Sequence, residues 1–271
     1  QMVWAIGIAS TQSAGLKEMF GTMCKPFHPG RAAQNGLTSA FLASKNFTST
    51  ERGIEAPQGF AFTMSDEQDF SQITNDLGNS FEVTRNIYKP FACGIVTHPA
   101  IDGCIQLRNN NDLKSSDIAS VTLRVNSLVL KLTGKTKPRT GLEAKFSIYH
   151  ACSVAIIYGS AGPKEYTDKT ANDLEVVSLR DRVTAKADES VSEEEAFVSI
   201  TLRDGTVLKK HIEHAIGSLE RPMTNEALEK KFRDQAENVL PPVLLNQVIE
   251  KCWDIETTND INSITRVAVP R

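Results

Sequence analysis

The sequence predicts a mostly α-helical protein with an inserted α+β domain, and three observations support this fold class. Helical patterns fill residues 1–85, strand-like patterns first occur after residue 90, and two further helical patterns close the 271-residue chain. Helices on both sides of a strand-containing segment are typical of a helical domain interrupted by a smaller one. We therefore expect a helical domain over 1–88, an α+β domain over 89–217, and helices over 218–271 that return to the first domain.

Helices in the first 85 residues are indicated by periodicity and by end signals. After the Pro29-Gly30 pair, the segment RAAQNGLTSAFLASKNF places Leu37 and Phe41 four residues apart on one helix face. A short helix is expected after Ser65, where SDEQDFSQITNDLG has an acidic first turn and a glycine stop. The small residues of MVWAIGIAS allow a second helix to approach closely.

The middle of the chain carries strand signals around one apolar segment. IASVTLRVNSLVLKL alternates in two phases, which predicts a strand with a bulge at Asn126-Ser127. AFVSITLRDGTVLKK predicts a hairpin with its turn at Asp204-Gly205. Between them, residues 141–159 are apolar nearly all round, which predicts a buried helix.

The end of the chain predicts two helices. Thr224 is placed to cap the helix of MTNEALEKKFRDQAENVL, and Pro242 lies in the first turn of PPVLLNQVIEKCW. The acidic stretch ADESVSEEEA, which precedes the hairpin, is expected to be a solvated loop.

Composition and charge argue against several functional classes. The formal net charge is -3 and the pI is near 6.0, whereas nucleic-acid binders usually carry a basic face. No apolar run approaches the ~18 residues of a membrane span. The segment QMVWAIGIASTQ has no basic leader and no cleavage-site pattern. We expect no nucleic acid, no membrane and a cytoplasmic location, or a mitochondrial one for a eukaryotic parent.

The cysteines are scattered and odd in number, and none forms a CxxC pair; they are Cys24, Cys93, Cys104, Cys152 and Cys252. Neither a disulfide framework nor a structural zinc site is expected. We expect buried thiols in a reducing compartment.

The first candidate site is CKPFHPGRAAQNG, which places Lys25, His28 and Arg31 around Pro29-Gly30. The free amides and dipole of a helix start favour an anion, and arginine can clamp a carboxylate with two hydrogen bonds. The segment can be a carboxylate pocket in which Lys25 or His28 moves protons. It can also be a charged, solvated helix end, and the spacing alone favours this alternative.

The second candidate site is YKPFACGIVTHPAIDG. Cys93, Gly94 and His98 can line a pocket, because Gly94 permits an approach that no side chain would allow. Alternatively Cys93 is a buried thiol and either Thr97 or His98 caps the helix that begins at Pro99.

The third candidate site is KFSIYHACS, which places Tyr149 and His150 in an apolar helix. A buried polar group without a partner costs ~1–3 kcal/mol, and histidine carries protons near neutral pH. The pair can be catalytic or can be a hydrogen-bonded pair in the core. His211 and His214 are expected at the surface.

The motifs of several common chemistries are missing from the sequence. The histidines form no HxxxH or HExxH spacing, and GxSxG, P-loop and GxGxxG motifs do not occur. The sequence therefore predicts neither a metal nor a nucleotide cofactor.

Four segments resemble the MmgE/PrpD family in their amino-acid sequences and in their order along the chain. They are GIASTQSAGLKEMFGTMCKPFHPGRAAQNGLTSAFLASKNFT, YKPFACGIVTHPAID, EAKFSIYHACSVAI and RPMTNEALEKKFR. The family includes 2-methylcitrate dehydratase, cis-aconitate decarboxylase and iminodisuccinate epimerase, and the resemblance runs through essentially the whole chain. It implies a large all-helical domain and a smaller α+β lid domain, with the pocket between them.

The resemblance also implies the chemistry. A proton is gained or lost at a carbon next to a carboxylate of a small di- or tricarboxylate, with loss of water, loss of CO₂ or inversion. Neither a metal nor an organic cofactor is implied, and a homodimer is expected. Our leading hypothesis is a lyase. An epimerase-like isomerase and a truncated, catalytically silent subunit are the alternatives.

The resemblance carries over to individual positions. Lys25 matches the pocket lysine of the K-P-x-H-x-G segment, and His28 matches its histidine. The expected catalytic residues are Lys25, Tyr149 and His150. The expected substrate-binding residues are His28, Arg31, Cys93, Gly94 and His98.

Three features depart from the family. Gly94 falls where cis-aconitate decarboxylases can carry a histidine, or a cysteine in another branch, and His150 falls where many members have the tyrosine of S-x-x-Y. Both departures weigh against a strict decarboxylase and favour the epimerase-like branch or an uncharacterised branch of the family. The long N-terminal helical segment of family members is expected to be missing here, which would leave apolar residues of the first helix exposed, namely Val3, Trp4, Ile6 and Ile8.

Overall fold

The computed structural model describes residues 1–270, which divide into two compact units. The first unit is Gln1–Arg85, and the second begins at Asn86. The first unit is helical and the second contains the sheet, so the fold is an α-rich α+β fold, as predicted. The three-part domain division, with the last helices returning to the first domain, stays a prediction.

The first unit is a set of helices linked by turns. Its helices are α1 (Met2–Ser10), α2 (Cys24–Ser44), α3 (Phe60–Met64) and α4 (Ser71–Thr74). The α1 and α2 helices pack against each other. The Gln12 amide donates to the hydroxyl of buried Ser39 at 3.1 Å, and the Asn35 amide donates to the Gln12 carbonyl at 3.2 Å. These bonds fix the segment after α1 along one face of α2.

The start of α2 differs from the prediction. The helix begins at Cys24, so Lys25, His28 and Arg31 lie within its first turns and Pro29 lies inside the helix. A proline in a helix removes one N–H and crowds the carbonyl four residues earlier, which here belongs to Lys25. The Pro29-Gly30 pair therefore does not form the helix N-terminus at which we predicted an anion site.

The short helix after Ser65 was also misplaced. The helical turn is α4, which begins at Ser71, and Asp69 accepts hydrogen bonds from the Ser71 backbone N–H (3.0 Å) and hydroxyl (2.6 Å). The acidic residues that suggested a first helical turn therefore lie before the helix. Asp69 accepts from the backbone N–H of Ser71, which has no partner within the helix.

The second unit is built on a four-stranded mixed sheet with the order β2-β1-β3-β4. The strands are β1 (Ile118–Val125), β2 (Val183–Ala187), β3 (Ala196–Leu202) and β4 (Val207–Ile212). The β1 and β2 strands are parallel, and the other neighbouring pairs are antiparallel. The parallel pair needs a long connection, and the helices between β1 and β2 supply it.

The helices of this unit precede, separate and follow the strands. They are α5 (His98–Asn111), α6 (Ser127–Thr133), α7 (Gly141–Ala144), α8 (Ile148–Tyr158), α9 (Asp168–Ala171), α10 (Leu174–Arg180), α11 (Asn225–Ala236), α12 (Pro242–Trp253) and α13 (Asn262–Val267). The α5 helix packs on β3 and β4, where a Cβ on Gly103 would stand 2.7 Å from Val198 Cγ2. Since α8 packs on both α5 and β2, these two helices form the centre of the core with the sheet.

Two predictions for this unit need correction. The second half of IASVTLRVNSLVLKL is not a strand after a bulge at Asn126-Ser127 but the helix α6. The Asn126 side chain accepts a hydrogen bond from the Leu128 N–H at 2.9 Å and so begins a helix there. The predicted helix over 141–159 is interrupted at Ser147, whose hydroxyl accepts from the His150 N–H at 3.1 Å and starts α8.

Other predicted elements are confirmed. The hairpin of β3 and β4 turns at Asp204-Gly205, where Gly205 has a φ of +91°. Thr224 caps α11 by accepting from the Ala227 N–H at 3.2 Å, and Pro242 is the first residue of α12. The expectation of buried thiols fails for two cysteines, because Cys24 and Cys252 are exposed; all five thiols are free.

Candidate functional site

In the first unit, the structure brings two of the three predicted residues to one cavity. His28 and Arg31 line a cavity of about 680 Å³ between α1 and α2, which we call the His28 cavity. Gly15, with a φ of +141°, lies against the His28 ring, since a Cβ there would stand 3.2 Å from Nδ1. Lys25 is exposed and is not one of the lining residues; its Nζ lies 5.7 Å from the centroid of the Phe20 ring.

In the second unit, one cavity concentrates positive charge. It has a volume of about 420 Å³, and we call it the lysine cavity because Lys89, Lys145 and Lys231 line it together with Cys93 and Asp234. Three ammonium groups and one carboxylate leave a net positive charge on its wall. An ordinary solvated surface would mix the two signs more evenly, so this cavity favours an anion.

The turn around Gly94 positions part of this wall. The Gly94 N–H donates to the Lys145 carbonyl at 3.3 Å, and the Thr97 hydroxyl donates to the Gly94 carbonyl at 2.7 Å. A Cβ on Gly94 would stand 3.0 Å from Thr133 Cγ2. A side chain at this position would therefore require Thr133 to move, which gives a steric reason for glycine here.

Cys93 is a buried member of the lysine cavity. Its Sγ lies 3.2 Å from the Thr97 hydroxyl oxygen. Burial raises the pKa of the Cys93 thiol, and the nearby ammonium groups of Lys89 and Lys145 only partly oppose this. The thiol is therefore protonated at neutral pH, where it can donate a weak hydrogen bond but is a poor nucleophile.

His98, the first residue of α5, is 3% exposed. Burial, with the positive charges of Lys89 and Lys231, lowers its pKa to about 4. Its ring meets the Phe91 ring edge-on with centroids 5.2 Å apart. It lines a smaller cavity of about 160 Å³, so the structure does not place it in the lysine cavity with Cys93.

His150 is fully buried in α8, and its neighbour Tyr149 is half-buried. His150 Nε2 lies 2.9 Å from the Glu165 carbonyl oxygen and so carries the proton, whereas Nδ1 has no partner among the described residues. Burial lowers the pKa of His150, which keeps the ring neutral. Its ring contacts Tyr166 at a centroid distance of 5.4 Å, so the aromatic partner in the core is not Tyr149.

Sequence reasoning missed all three lysines of the lysine cavity. Lys89 and Lys145 stand inside segments that we had singled out, YKPFACG and KFSIYH, five residues before Gly94 and five before His150. Their closeness in sequence to Gly94 and His150 was a signal that could have added both lysines to the candidate sites. Lys231 gave none, because it joins the cavity from α11 through the packing of the chain.

Neither a metal centre nor a membrane span is found among the described residues. No group of three or more His, Cys, Asp or Glu side chains there is arranged to hold a metal ion. No helix among the described residues is both long and apolar enough to cross a bilayer.

Comparison with known proteins gives family matches over most of the chain. Residues 91–255 match the MmgE/PrpD C-terminal domain, and residues 1–73 match the MmgE/PrpD N-terminal domain. The second match does not confirm the expectation that the N-terminal helical segment is missing, because N-terminal domain sequence is present. The exposure expected from that absence holds for Val3 and Ile6 but fails for Ile8, which is buried.

Individual relatives are distant. Cis-aconitate decarboxylase of Mus musculus is 22% identical over 275 residues, covering 97% of this chain and 56% of the relative. The 2-methylcitrate dehydratase of Cupriavidus necator is 25% identical over 158 residues, covering 53% of this chain and 33% of the relative. The mitochondrial 2-methylcitrate dehydratase of Yarrowia lipolytica is 28% identical over 118 residues, covering 40% of this chain and 23% of the relative. The chain spans about half the length of the decarboxylase relatives it matches.

Proposed function

The chain belongs to the MmgE/PrpD family, and we propose that it is a lyase that acts on a small di- or tricarboxylate. The reaction is dehydration of the 2-methylcitrate type or decarboxylation of the cis-aconitate type, each with proton transfer at a carbon next to a carboxylate. The relatives that support this proposal are a cis-aconitate decarboxylase and 2-methylcitrate dehydratases.

The observation that carries the proposal is the charge of the lysine cavity. Lys145 and Lys231 are half-buried there, and Lys89 is more exposed. Ammonium groups held in a partly desolvated wall bind carboxylates more strongly than free surface lysines do. Asp234 pairs at 2.6 Å with Lys230, which does not line the cavity, so it does not offset the three lining ammonium groups. Their charge suits a substrate that carries at least two carboxylates.

Proton transfer is assigned through the family. We propose Lys25, Tyr149 and His150 as the groups that move the proton, and His28 and Arg31 as further contacts to the substrate. His150 has a neutral ring and an unpartnered Nδ1 lone pair, but it is fully buried and lines none of the three cavities, so its proposed role rests on the family alone.

Proton NMR in D₂O tests the function. The folded chain is incubated with 2-methylcitrate, cis-aconitate and an amino-dicarboxylate, and each product identifies its own reaction. Lys145→Gln is expected to lower kcat/KM by about 10- to 100-fold, because it removes a charge-assisted hydrogen bond. Lys25→Ala is expected to abolish turnover without unfolding the protein. Wild-type rates in both variants would show that Lys145 does not bind the substrate and that Lys25 does not move the proton.

Matched controls use lysines that line none of the three cavities. Lys169→Gln in the second unit and Lys17→Ala in the first remove exposed charges and should leave turnover unchanged. If the controls lose as much activity as Lys145→Gln, the effect is one of net charge and the lysine cavity is not the substrate site.

Two alternative functions can be distinguished from the lyase. An epimerase-like isomerase is favoured by Gly94 and His150, and it would show deuterium uptake with inversion and no loss of water or CO₂. A catalytically silent subunit stays the other alternative. A folded sample that binds 2-methylcitrate but converts no substrate would support the silent subunit over the lyase.

A further inference from the structure

The wall of the lysine cavity contains a neutral acid. Cys93 lines the cavity together with Lys89, Lys145 and Lys231, and burial raises the pKa of its thiol, so the thiol carries its proton at neutral pH. An ammonium group that pairs with a substrate carboxylate holds its proton more tightly, which makes the bound lysines poor proton donors. The thiol has no such pairing and keeps its proton available.

The hydrogen bonds around Cys93 show where its proton lies. The Thr97 hydroxyl donates to the Gly94 carbonyl oxygen at 2.7 Å, so its hydrogen is not available to the sulfur. The Thr97 oxygen lies 3.2 Å from Cys93 Sγ and therefore accepts the thiol proton. Rotation about the Cβ–Sγ bond is enough to turn this proton towards another acceptor.

The charges beside Cys93 favour the thiolate that proton donation would leave. Burial has the largest effect and raises the pKa of the thiol, while the positive charges of Lys89 and Lys145 lower it. Such a group is protonated at rest, and the negative charge that develops on its sulfur during proton transfer is stabilised by ammonium groups already in place.

Tyr166 supplies an independent observation. It is 5% exposed, and its hydroxyl has no aligned hydrogen-bond partner among the described residues. A buried hydroxyl without a partner is costly, and native proteins rarely leave one unexplained. The Tyr166 hydroxyl lowers the pKa of the Cys93 thiol, and burial raises the pKa of Tyr166 itself, which keeps this hydroxyl a donor. A thiolate at Cys93 would give it the acceptor that it lacks.

We infer that Cys93 is the general acid of the lyase reaction, an inference that rests on the proposed function. In a dehydration, a base takes the proton of the carbon next to the carboxylate and the C–H electron pair forms the double bond. The C–O bond breaks with its electrons on oxygen, and the Cys93 proton bonds to that oxygen, so that water leaves. In a decarboxylation, the same proton bonds to the carbanion that loss of CO₂ leaves. The thiolate then regains a proton from solvent.

Steady-state kinetics of the full chain test the inference, with 2-methylcitrate and cis-aconitate as substrates. Cys93→Ala and Cys93→Ser should each lower kcat by about 10²- to 10⁴-fold, because a serine hydroxyl gives up its proton far less readily than a thiol. KM should stay close to the wild-type value, because the three lysines remain.

Two controls show that a loss of kcat is chemical. Calorimetric binding of tricarballylate, a tricarboxylate without a leaving hydroxyl, should be unchanged in both Cys93 variants, which shows that the cavity is intact. Cys252→Ala removes an exposed thiol that lines none of the three cavities, and its turnover should equal that of the wild type.

A change of leaving group separates acid catalysis from a structural effect in a dehydratase. In the analogue of 2-methylcitrate that carries fluorine in place of the hydroxyl group, fluoride leaves with much less help from a proton. Cys93→Ala should therefore eliminate fluoride at a rate near that of the wild type. Tyr166→Phe should lower kcat in the wild type but have no further effect in Cys93→Ala, because its hydroxyl acts through the thiolate.

The outcomes distinguish this inference from the proposed function. Equal kcat values for the wild type and Cys93→Ala, or equal losses with the hydroxyl and fluorine substrates, would overturn the role of Cys93 and leave the lyase function standing. A folded wild type that converts neither substrate would overturn the lyase function and this inference with it.

Discussion

His98 makes stability depend on pH at the scale of a single residue. Burial and two nearby ammonium groups lower its pKa to about 4 in the folded protein, whereas an unfolded histidine titrates near 6.5. Between these values the unfolded state binds more protons than the folded state, so stability falls as the pH is lowered. The contribution is fully present above about pH 6.5 and amounts to about 3 kcal/mol.

His98→Gln should remove this dependence. The free energy of unfolding of the variant should change less steeply between pH 6.5 and 4, by about 1.4 kcal/mol per pH unit for one proton. Urea unfolding followed by circular dichroism at several pH values measures the slope. The buried His150, whose lowered pKa acts in the same direction, remains in both proteins and serves as an internal background. Equal slopes would show that His98 titrates normally.

Gly94 is fixed by its contact with one methyl group. Gly94→Ala would bring a Cβ to 3.0 Å from Thr133 Cγ2, and Thr133 is held because its hydroxyl donates to the Val129 carbonyl at 2.6 Å. We expect a loss of about 1–2 kcal/mol of unfolding free energy, as in other overpacked cores.

A double-mutant cycle separates this clash from a general backbone effect. Thr133→Ser removes Cγ2 but keeps the hydroxyl bonded to Val129. In that background Gly94→Ala should cost less, with a coupling energy of at least about 0.5 kcal/mol measured by urea unfolding. Additive effects would show that Thr133 does not determine the choice of glycine.

At the scale of elements, the segment over 118–133 shows where the pattern of apolar residues does not distinguish a strand from a helix. Alternating apolar residues correctly predict β1, but an alternation in the opposite phase follows through Leu128, Leu130 and Leu132, which lie in α6. Short apolar runs fit both periods, so the decision depends on the end signal. Asn126 is that signal, and in the sequence it is equally compatible with a bulge.

Asn126 should therefore control the stability of α6. Its side chain accepts from the Leu128 N–H, and its Nδ2 donates to the Val191 carbonyl at 2.9 Å. Asn126→Ala should destabilise the protein by about 1–2 kcal/mol. Asn126→Ser keeps a cap oxygen but loses the bond to Val191, so it should cost less. A neutral alanine variant in thermal unfolding would favour the extended conformation predicted from the sequence.

Elements formed by interactions between residues close in sequence were easier to predict than features formed by distant residues. The β3–β4 hairpin and the starts of α11 and α12 were predicted because their turn and cap residues act within a few positions. The lysine cavity was not predicted, because Lys89, Lys145 and Lys231 are far apart in sequence and meet only through packing. His28 and Arg31 were predicted together and do share a cavity, because four residues or fewer separate neighbours on a helix face.

At the scale of the whole molecule, the two units differ in how much apolar surface they bury. In α1 and α2, the buried residues among those described are Gly7, Ile8, Ser39 and Ala43. Large apolar side chains on α2 and next to it are exposed, including Met23, Phe27, Leu37 and Phe41. By contrast, most residues of α8 are buried, and β1 and β3 contribute to one extensive core.

This difference predicts unequal local stability. Because burial of apolar surface is the main favourable term in folding, the first unit should open at a lower free energy than the second. Hydrogen–deuterium exchange of the isolated chain at low concentration, read by mass spectrometry of peptides, should show α1 and α2 exchanging well before α8, β1 and β3. Protection of α2 that rises with protein concentration would show that a second copy covers its apolar side chains. Protection in α2 equal to that in α8, independent of concentration, would contradict the prediction.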